Sequence, residues 1–364
     1  MPRPTRVAAC AAGLALSLAS AATAQLRVVA WNISNYAGGR DADIRNVVYG
    51  TFEGRSLRPD VIAADEIVSA GAQAAFLANL NAAPGSPGDW AAAPFVDGAD
   101  TESTLFYRTS RVVLVENRTW TIAVGSSDSN NQPRNTYRYD LRLAGYGAPA
   151  ATLSVYAVHM KAGSTSGDNA RRLVESTRIR QNAAGVDTNG AGSAKPEGTM
   201  FLVGGDMNMQ SSTQTSYVRF IGAEDDNTGR FFDPIASPGT WNNNGAFRFI
   251  HTQDPSGAGG MDDRHDQILV CAGLIDGGGF DYVGDSTIPY STTTWNDPNH
   301  SYRAWGNDGT SFNLSLTTTG NTMVGPSIAQ SIINCAPNGG HIPVLLDLRV
   351  PAKVASPIEV DFGV

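Results

Sequence analysis

Four runs in this 364-residue chain are apolar without alternation and close on polar residues: VVAWN (28–32), DVIAADE (60–66), SVYAVH (154–159) and FLVGGDMN (201–208). A strand with one wet face alternates, whereas a strand covered on both faces does not. These runs therefore demand sheets buried on both sides. Further β-rich runs are STLFYR (103–108), RVVLVEN (111–117), YRYDLRL (137–143), HDQILV (265–270) and HIPVLLDLRV (341–350). Helical periodicity is visible over 70–82 and 169–185. Strands interleaved with a few helices predict sheets with helices packed outside them. Gly-, Ser-, Asn- and Asp-rich stretches between these runs, the longest at 275–325, read as surface loops.

The first residues predict a compartment. Arg3 and Arg6 precede an apolar run from Val7 to Ala24 that closes on Ala22-Thr23-Ala24. That order is a secretory signal peptide, so residues 1–24 are expected to be removed and the protein to be secreted or periplasmic. Residues 25–350 are expected to form one domain, and 351–364 a linker or tail. No second apolar run is long enough to span a bilayer, so no stable membrane association is expected, and the chain is expected to be a monomer. Cys10 falls in the leader. In an oxidising compartment Cys271 and Cys335 have one possible pairing. Such a bridge would close a loop of about 65 residues and stabilise by roughly 4 kcal/mol on chain-entropy grounds. The alternative is two inert buried thiols.

The net charge of −8 gives no long-range attraction for a polyanion. This argues against a module built for high-affinity nucleic-acid binding. It leaves open an enzyme whose bound cations supply positive charge locally.

The polar residues at the ends of apolar runs are the candidates for chemistry, because loops converge there. They are Asn32, Glu66, His159, and Asp206 with Asn208, while Asp266 and His341 open their strands. Singly, each is more often a cap or a satisfied core residue. His251, His265 and His300 have no flanking apolar strand to fix them in a site and read as loop residues.

Taken together, VVAWNIS, DVIAADEI, YAVHMKAG, VGGDMNM, RHDQILV and GGHIPVLLDL resemble the motif series of the endonuclease/exonuclease/phosphatase family. The resemblance spans about residues 27 to 350, and GDMN is its most specific piece. It implies an α/β fold, a four-layer αββα sandwich of two mixed β-sheets with helices on the outer faces. It also implies a metal-dependent phosphodiesterase, with nucleic acid the expected substrate. A phospholipid or sphingomyelin phosphodiesterase, a phosphatase, or an inactive binding protein of the same fold are the alternatives.

The chemistry agrees with the residue types. Phosphodiester cleavage needs positive charge on the phosphate oxygens, and a hard cation such as Mg²⁺ (Mn²⁺ or Ca²⁺ as substitutes) supplies it from few oxygen ligands. The resemblance gives Glu66 and Asn32 the metal, Asp206 and Asn208 the attacking water, and His159 and His341 phosphate contact and proton exchange. Asp266 would orient a histidine or bind a second metal. Lys161 and Arg134 are expected to hold phosphate, with Arg138 an equal alternative to Arg134. Tyr302 and Trp305 could stack on bases or simply anchor their loop. One departure stands out: the family's final Ser-Asp-His-x-Pro-Val reads Gly339-Gly340-His341-Ile342-Pro343-Val344 here. The usual carboxylate beside the histidine is absent, and Asp262 or Asp263 is the expected substitute.

Overall fold

The computed structural model describes residues 25–147, 151–257 and 259–350. The expected leader (1–24) and tail (351–364) lie outside the described residues. In chain order the strands are β1 (Gln25–Tyr36), β2 (Val61–Ile67), β3 (Trp90–Ala92), β4 (Glu102–Arg108), β5 (Val112–Leu114), β6 (Trp120–Ala123), β7 (Thr136–Leu143), β8 (Thr152–His159), β9 (Met200–Asp206), β10 (Phe231–Phe232), β11 (Asp266–Cys271), β12 (Asp281–Tyr282), β13 (Arg303–Ala304) and β14 (Val344–Arg349). The helices are α1 (Asp41–Tyr49), α2 (Ala70–Ala82), α3 (Ser166–Ala183), α4 (Thr215–Ile221) and α5 (Gly325–Cys335).

The strands form two sheets. One runs β12-β14-β1-β2-β4-β3, with β13 also paired to β14; the other runs β10-β11-β9-β8-β7-β5, with β6 also paired to β7. Each is mixed, parallel at β1–β2 and at β8–β9 respectively. Side chains alternate along a strand, and β1 shows why its run is apolar throughout. Leu26, Val28 and Ala30 enter the core between the sheets. Val29, Trp31 and Ile33 enter a second core with Ile44 and Val47 of α1, Phe76 of α2 and Ile328 of α5. On the far side Ile179 of α3 and Phe220 of α4 pack onto the second sheet. The result is the expected four-layer αββα sandwich. Helix α3 starts where Thr165 and Asp168 form a reciprocal capping box.

Three sequence expectations change. Asn32 does not end its strand, because β1 continues to Tyr36 through an irregularity between Asn32 and Tyr36. His341 does not open β14, which starts at Val344; it makes an isolated bridge with Gln253. The stretch 275–325 is not merely loop, since β12 and β13 both pair with β14.

The expected disulfide is not formed: Cys271 and Cys335 are both free and buried. Geometry explains this. Cys335 ends α5 near the site, where its carbonyl accepts from Arg40 Nη1. Cys271 lies at the far end of β11, five residues from Asp266, about 17 Å at strand rise. A disulfide needs Cα atoms within about 7 Å.

Candidate active site

Register builds most of the site. In the second sheet His159 pairs with Asp206 and Asp206 pairs with Asp266, so the three lie in one row at the end of β8, β9 and β11. Gly204, two residues before Asp206, faces β1: a Cβ there would sit 3.4 Å from Ala30 Cβ. The row therefore points between the sheets. In the opposite sheet Asn32 pairs with Asp65, and Asn32 shares its face with Val28 and Ala30. Asp65 Oδ2 accepts the Asp206 N–H at 3.0 Å. That approach requires Gly205, whose φ is +144° and whose added Cβ would meet Asp65 Oδ2 at 2.7 Å.

Alternation alone would turn Glu66 outward with Ile62 and Ala64. Instead the β2–β4 register shifts between Ala64 and Ile67, and Glu66 takes a left-handed φ of 62°. Strain of this kind costs about 1–3 kcal/mol and gathers at functional sites. The carboxylate turns inward: Oε1 accepts from Asn32 Nδ2 at 3.0 Å and Oε2 from the Asn35 N–H at 2.7 Å.

Asp206 is the centre. Its Oδ2 lies 3.2 Å from Asn32 Nδ2, 3.5 Å from His159 Nε2 and 3.5 Å from His341 Nε2. Its Oδ1 accepts the Asn208 N–H at 2.9 Å, and Asn208 Nδ2 donates to Met160 O at 3.1 Å. His341 Nδ1 meets Asp266 Oδ2 at 2.6 Å. Electrostatics then separates the histidines. Burial opposes a charge on His341, but Asp266 and Asp206 outweigh it and push its pKa up to about 10. At His159 burial wins over Asp206 and holds the imidazole below its ordinary value. Burial would raise Asp206, yet His341, His159 and His265 hold it at about 2. Near neutral pH the site thus contains a cationic His341, an ionised Asp206 and a neutral His159.

Other expectations fare differently. The carboxylate orienting His341 is Asp266, not Asp262 or Asp263; the Asp263 side chain accepts from Asn242 Nδ2 at 3.0 Å. Gly340 has no room for the family's usual Asp. Its φ is +57°, and a Cβ would lie 2.6 Å from both Ala336 Cα and Ser34 Oγ. Lys161 Nζ pairs with Asp168 at 2.8 Å and Arg134 with Asp100 at 3.0 Å, so both cations chosen for phosphate are already matched. Arg138 is fully buried against Asp140 and Asn182, under α3 and away from the site. Tyr302 and Trp305 are buried anchors of their loop. His251 and His300 are buried as well, His251 between the carbonyls of Met261 and Trp241.

Sequence reasoning missed His265, whose ring lies 6.4 Å from that of His341. Its place directly before Asp266 was the available signal. Asp65 was also missed; its position inside an apolar run, directly before Glu66, marked it.

The site opens into a cavity of 520 Å³ lined by Glu66 and His341, together with Asn35, Arg40, Gln253 and Asp254. Among the described residues no three His, Cys, Asp or Glu side chains form a metal cage. A hard cation of the Mg²⁺ type needs only one or two carboxylates, with water and phosphate filling the rest. Glu66, its side chain 16% exposed, and the nearby Asp206 offer that all-oxygen set. Asn32 Oδ1 accepts the Ser34 N–H at 2.9 Å, which leaves its second lone pair for a cation, while its Nδ2 donates to Glu66 and Asp206.

No protein-family model and no curated protein sequence matches the chain. Solved structures do. The endonuclease/exonuclease/phosphatase of Bacteroides vulgatus is 11% identical, with a TM-score of 0.51, over 90% of this chain and 99% of that one. A family protein of Bacteroides thetaiotaomicron is 15% identical with a TM-score of 0.46, over 90% and 98%. The mannosyl-6-phosphatase Bt3783 of the same species is 14% identical with a TM-score of 0.48, over 89% and 99%. The fold of this chain is that of endonuclease/exonuclease/phosphatase proteins.

Proposed function

We propose that the chain is an exported, divalent-metal-dependent hydrolase of phosphodiester bonds, with nucleic acid as its substrate. One observation carries this reading: Asp206 Oδ2 lies 3.5 Å from both His341 Nε2 and His159 Nε2, with Asp266 on His341 Nδ1 and Glu66 lining the cavity. Export rests on the leader-like residues 1–24.

Asp206 and Asn208 orient a water against phosphorus, and the proton the water loses as the O–P bond forms passes by way of Asp206 to the neutral His159. The P–O bond to the leaving group breaks in line, and His341 Nε2 gives its proton to the departing oxygen. Asp266 holds that imidazole in position through Nδ1. His159 Nε2, 3.5 Å from Asp206 and 3.7 Å from Glu66, is placed to accept the proton the water loses. A cation held by Glu66 would neutralise charge on the non-bridging oxygens and acidify the attacking water.

The test is to incubate the protein with plasmid DNA, RNA, sphingomyelin and a chromogenic phosphodiester, with and without Mg²⁺. Cleavage of nucleic acid that stops in chelator and returns with Mg²⁺ or Mn²⁺ is the expected result. Full activity in excess chelator removes the metal from the mechanism. Turnover of sphingomyelin alone moves the substrate to lipid. No turnover on any substrate leaves only the fold.

A further inference from the structure

The catalytic cavity has a cation that the proposed chemistry does not use. Arg40 lines it together with Glu66 and Asp254, and pairs with neither in a salt bridge. Its Nη1 donates to Cys335 O at 2.5 Å and its Nη2 to Ser34 O at 3.2 Å. Both partners are neutral carbonyls, and among the described residues Arg40 forms no ion pair with a carboxylate. A guanidinium has five N–H donors, so three remain. The group is half-buried, lies 5.1 Å from the centre of the Tyr36 ring and is fixed by the two carbonyls. Its backbone is left-handed at φ 57°, at the N-cap of α1, with no side-chain cap; Ser, Thr, Asp or Asn ordinarily occupies that position. Burial depresses its charged form by more than Cys335, Tyr36 and Glu66 restore it. An anion in the cavity would relieve this.

The contrast with the other cations near the site sharpens the inference. Lys161 and Arg134 form ion pairs with Asp168 and Asp100, whereas Arg40 is held by two carbonyls and forms no ion pair among the described residues. A cavity of 520 Å³ is of the size that holds a small ligand rather than one tetrahedral group. His341, Glu66 and Arg40 all line this one cavity.

We infer that Arg40 binds a second phosphate of the substrate, the neighbour of the scissile phosphate along a nucleic-acid strand. The fixed guanidinium offers charge and paired donors to its oxygens. This rests on the phosphodiesterase reading above and narrows it: the substrate carries at least two phosphates, and Arg40 sets the preference.

The experiment compares the dinucleoside monophosphate TpT with its terminally phosphorylated forms pTpT and TpTp. The wild-type chain should favour one phosphorylated form over TpT by at least tenfold in kcat/KM. Arg40→Gln should collapse that ratio to below threefold, chiefly through KM, and Arg40→Lys should restore part of it. A ratio that survives in Arg40→Gln overturns the inference, as does equal loss on all three substrates. Melting curves of both variants show whether they fold; if Arg40→Gln does not, the Arg40→Lys ratio alone decides, with an unchanged wild-type ratio counting against the inference. Calorimetric binding of pTpT and TpT separates this failure from that of the parent reading. If no phosphodiester is hydrolysed but pTpT binds the wild type at least tenfold more tightly than the variant, the catalytic reading falls and the Arg40 site stands.

Discussion

Glu175 and Asp206 are both buried carboxyls, and their neighbours give them opposite fates. Asp206 is held at about 2 by three histidines. Glu175 is pushed up to about 8 by burial, relieved only in part by the Lys161 N–H and by Arg134 and Arg172. Its folded pKa lies above the model-peptide value of 4.5, so the unfolded state releases the proton first. Its contribution to stability is complete below about 4.5 and is lost as pH rises from there through 8, amounting to roughly a few kcal/mol. Glu175→Gln should flatten the stability of the protein across that window in denaturant titrations at several pH values. A slope unchanged by the substitution would count against a protonated Glu175. Asp266 acts through His341. In Asp266→Asn the imidazole loses its nearest anion, so its cationic form should be lost at lower pH. The alkaline limb of kcat/KM should move down from about 10, and activity should fall about 10–100-fold. An unmoved limb would mean that His341 does not carry the titrating proton.

At the scale of elements, the sequence was most informative where apolar runs were long. VVAWN, SVYAVH and FLVGGD became β1, β8 and β9 because burial on both faces leaves no polar position to blur the pattern. The 70–82 helix is reproduced as α2. The two-residue strands β10, β12 and β13 were not legible, since two residues carry no period. The left-handed turn at Glu66 was equally hidden: nothing in DVIAADEI announces that parity breaks there. Thus the candidate residues were readable, but not the bulge that aims Glu66 nor the cation that Arg40 adds. The disulfide failed for a related reason, because Cys count and compartment say nothing of distance. Cys271 and Cys335 belong to β11 and α5, in separate cores, and burial pushes both thiols up. Both should titrate without reductant once the protein is denatured, and neither should react quickly in the native state. Reductant should leave the melting temperature unchanged; a drop on reduction would revive the bridge.

For the whole molecule the decisive quantity is its charge. A net −8 repels a polyanion at long range, while the proposed contacts are few: Arg40, His341 and a cation on Glu66. Each phosphate neutralised by a protein cation contributes about −0.9 to the slope of log K against log salt on duplex DNA, and binders with 6–10 contacts lose about 10³–10⁵ in affinity between 50 and 200 mM. Two or so contacts, partly offset by screening of the overall repulsion, should give a far shallower response. At fixed Mg²⁺, kcat/KM on long DNA should therefore fall by less than about tenfold over that range. A fall of more than a hundredfold would require an extended basic track, incompatible with this charge distribution, and would sink the picture of a locally charged site on an acidic body. A flat or rising profile would be the extreme of the same picture, with long-range repulsion outweighing the few direct contacts.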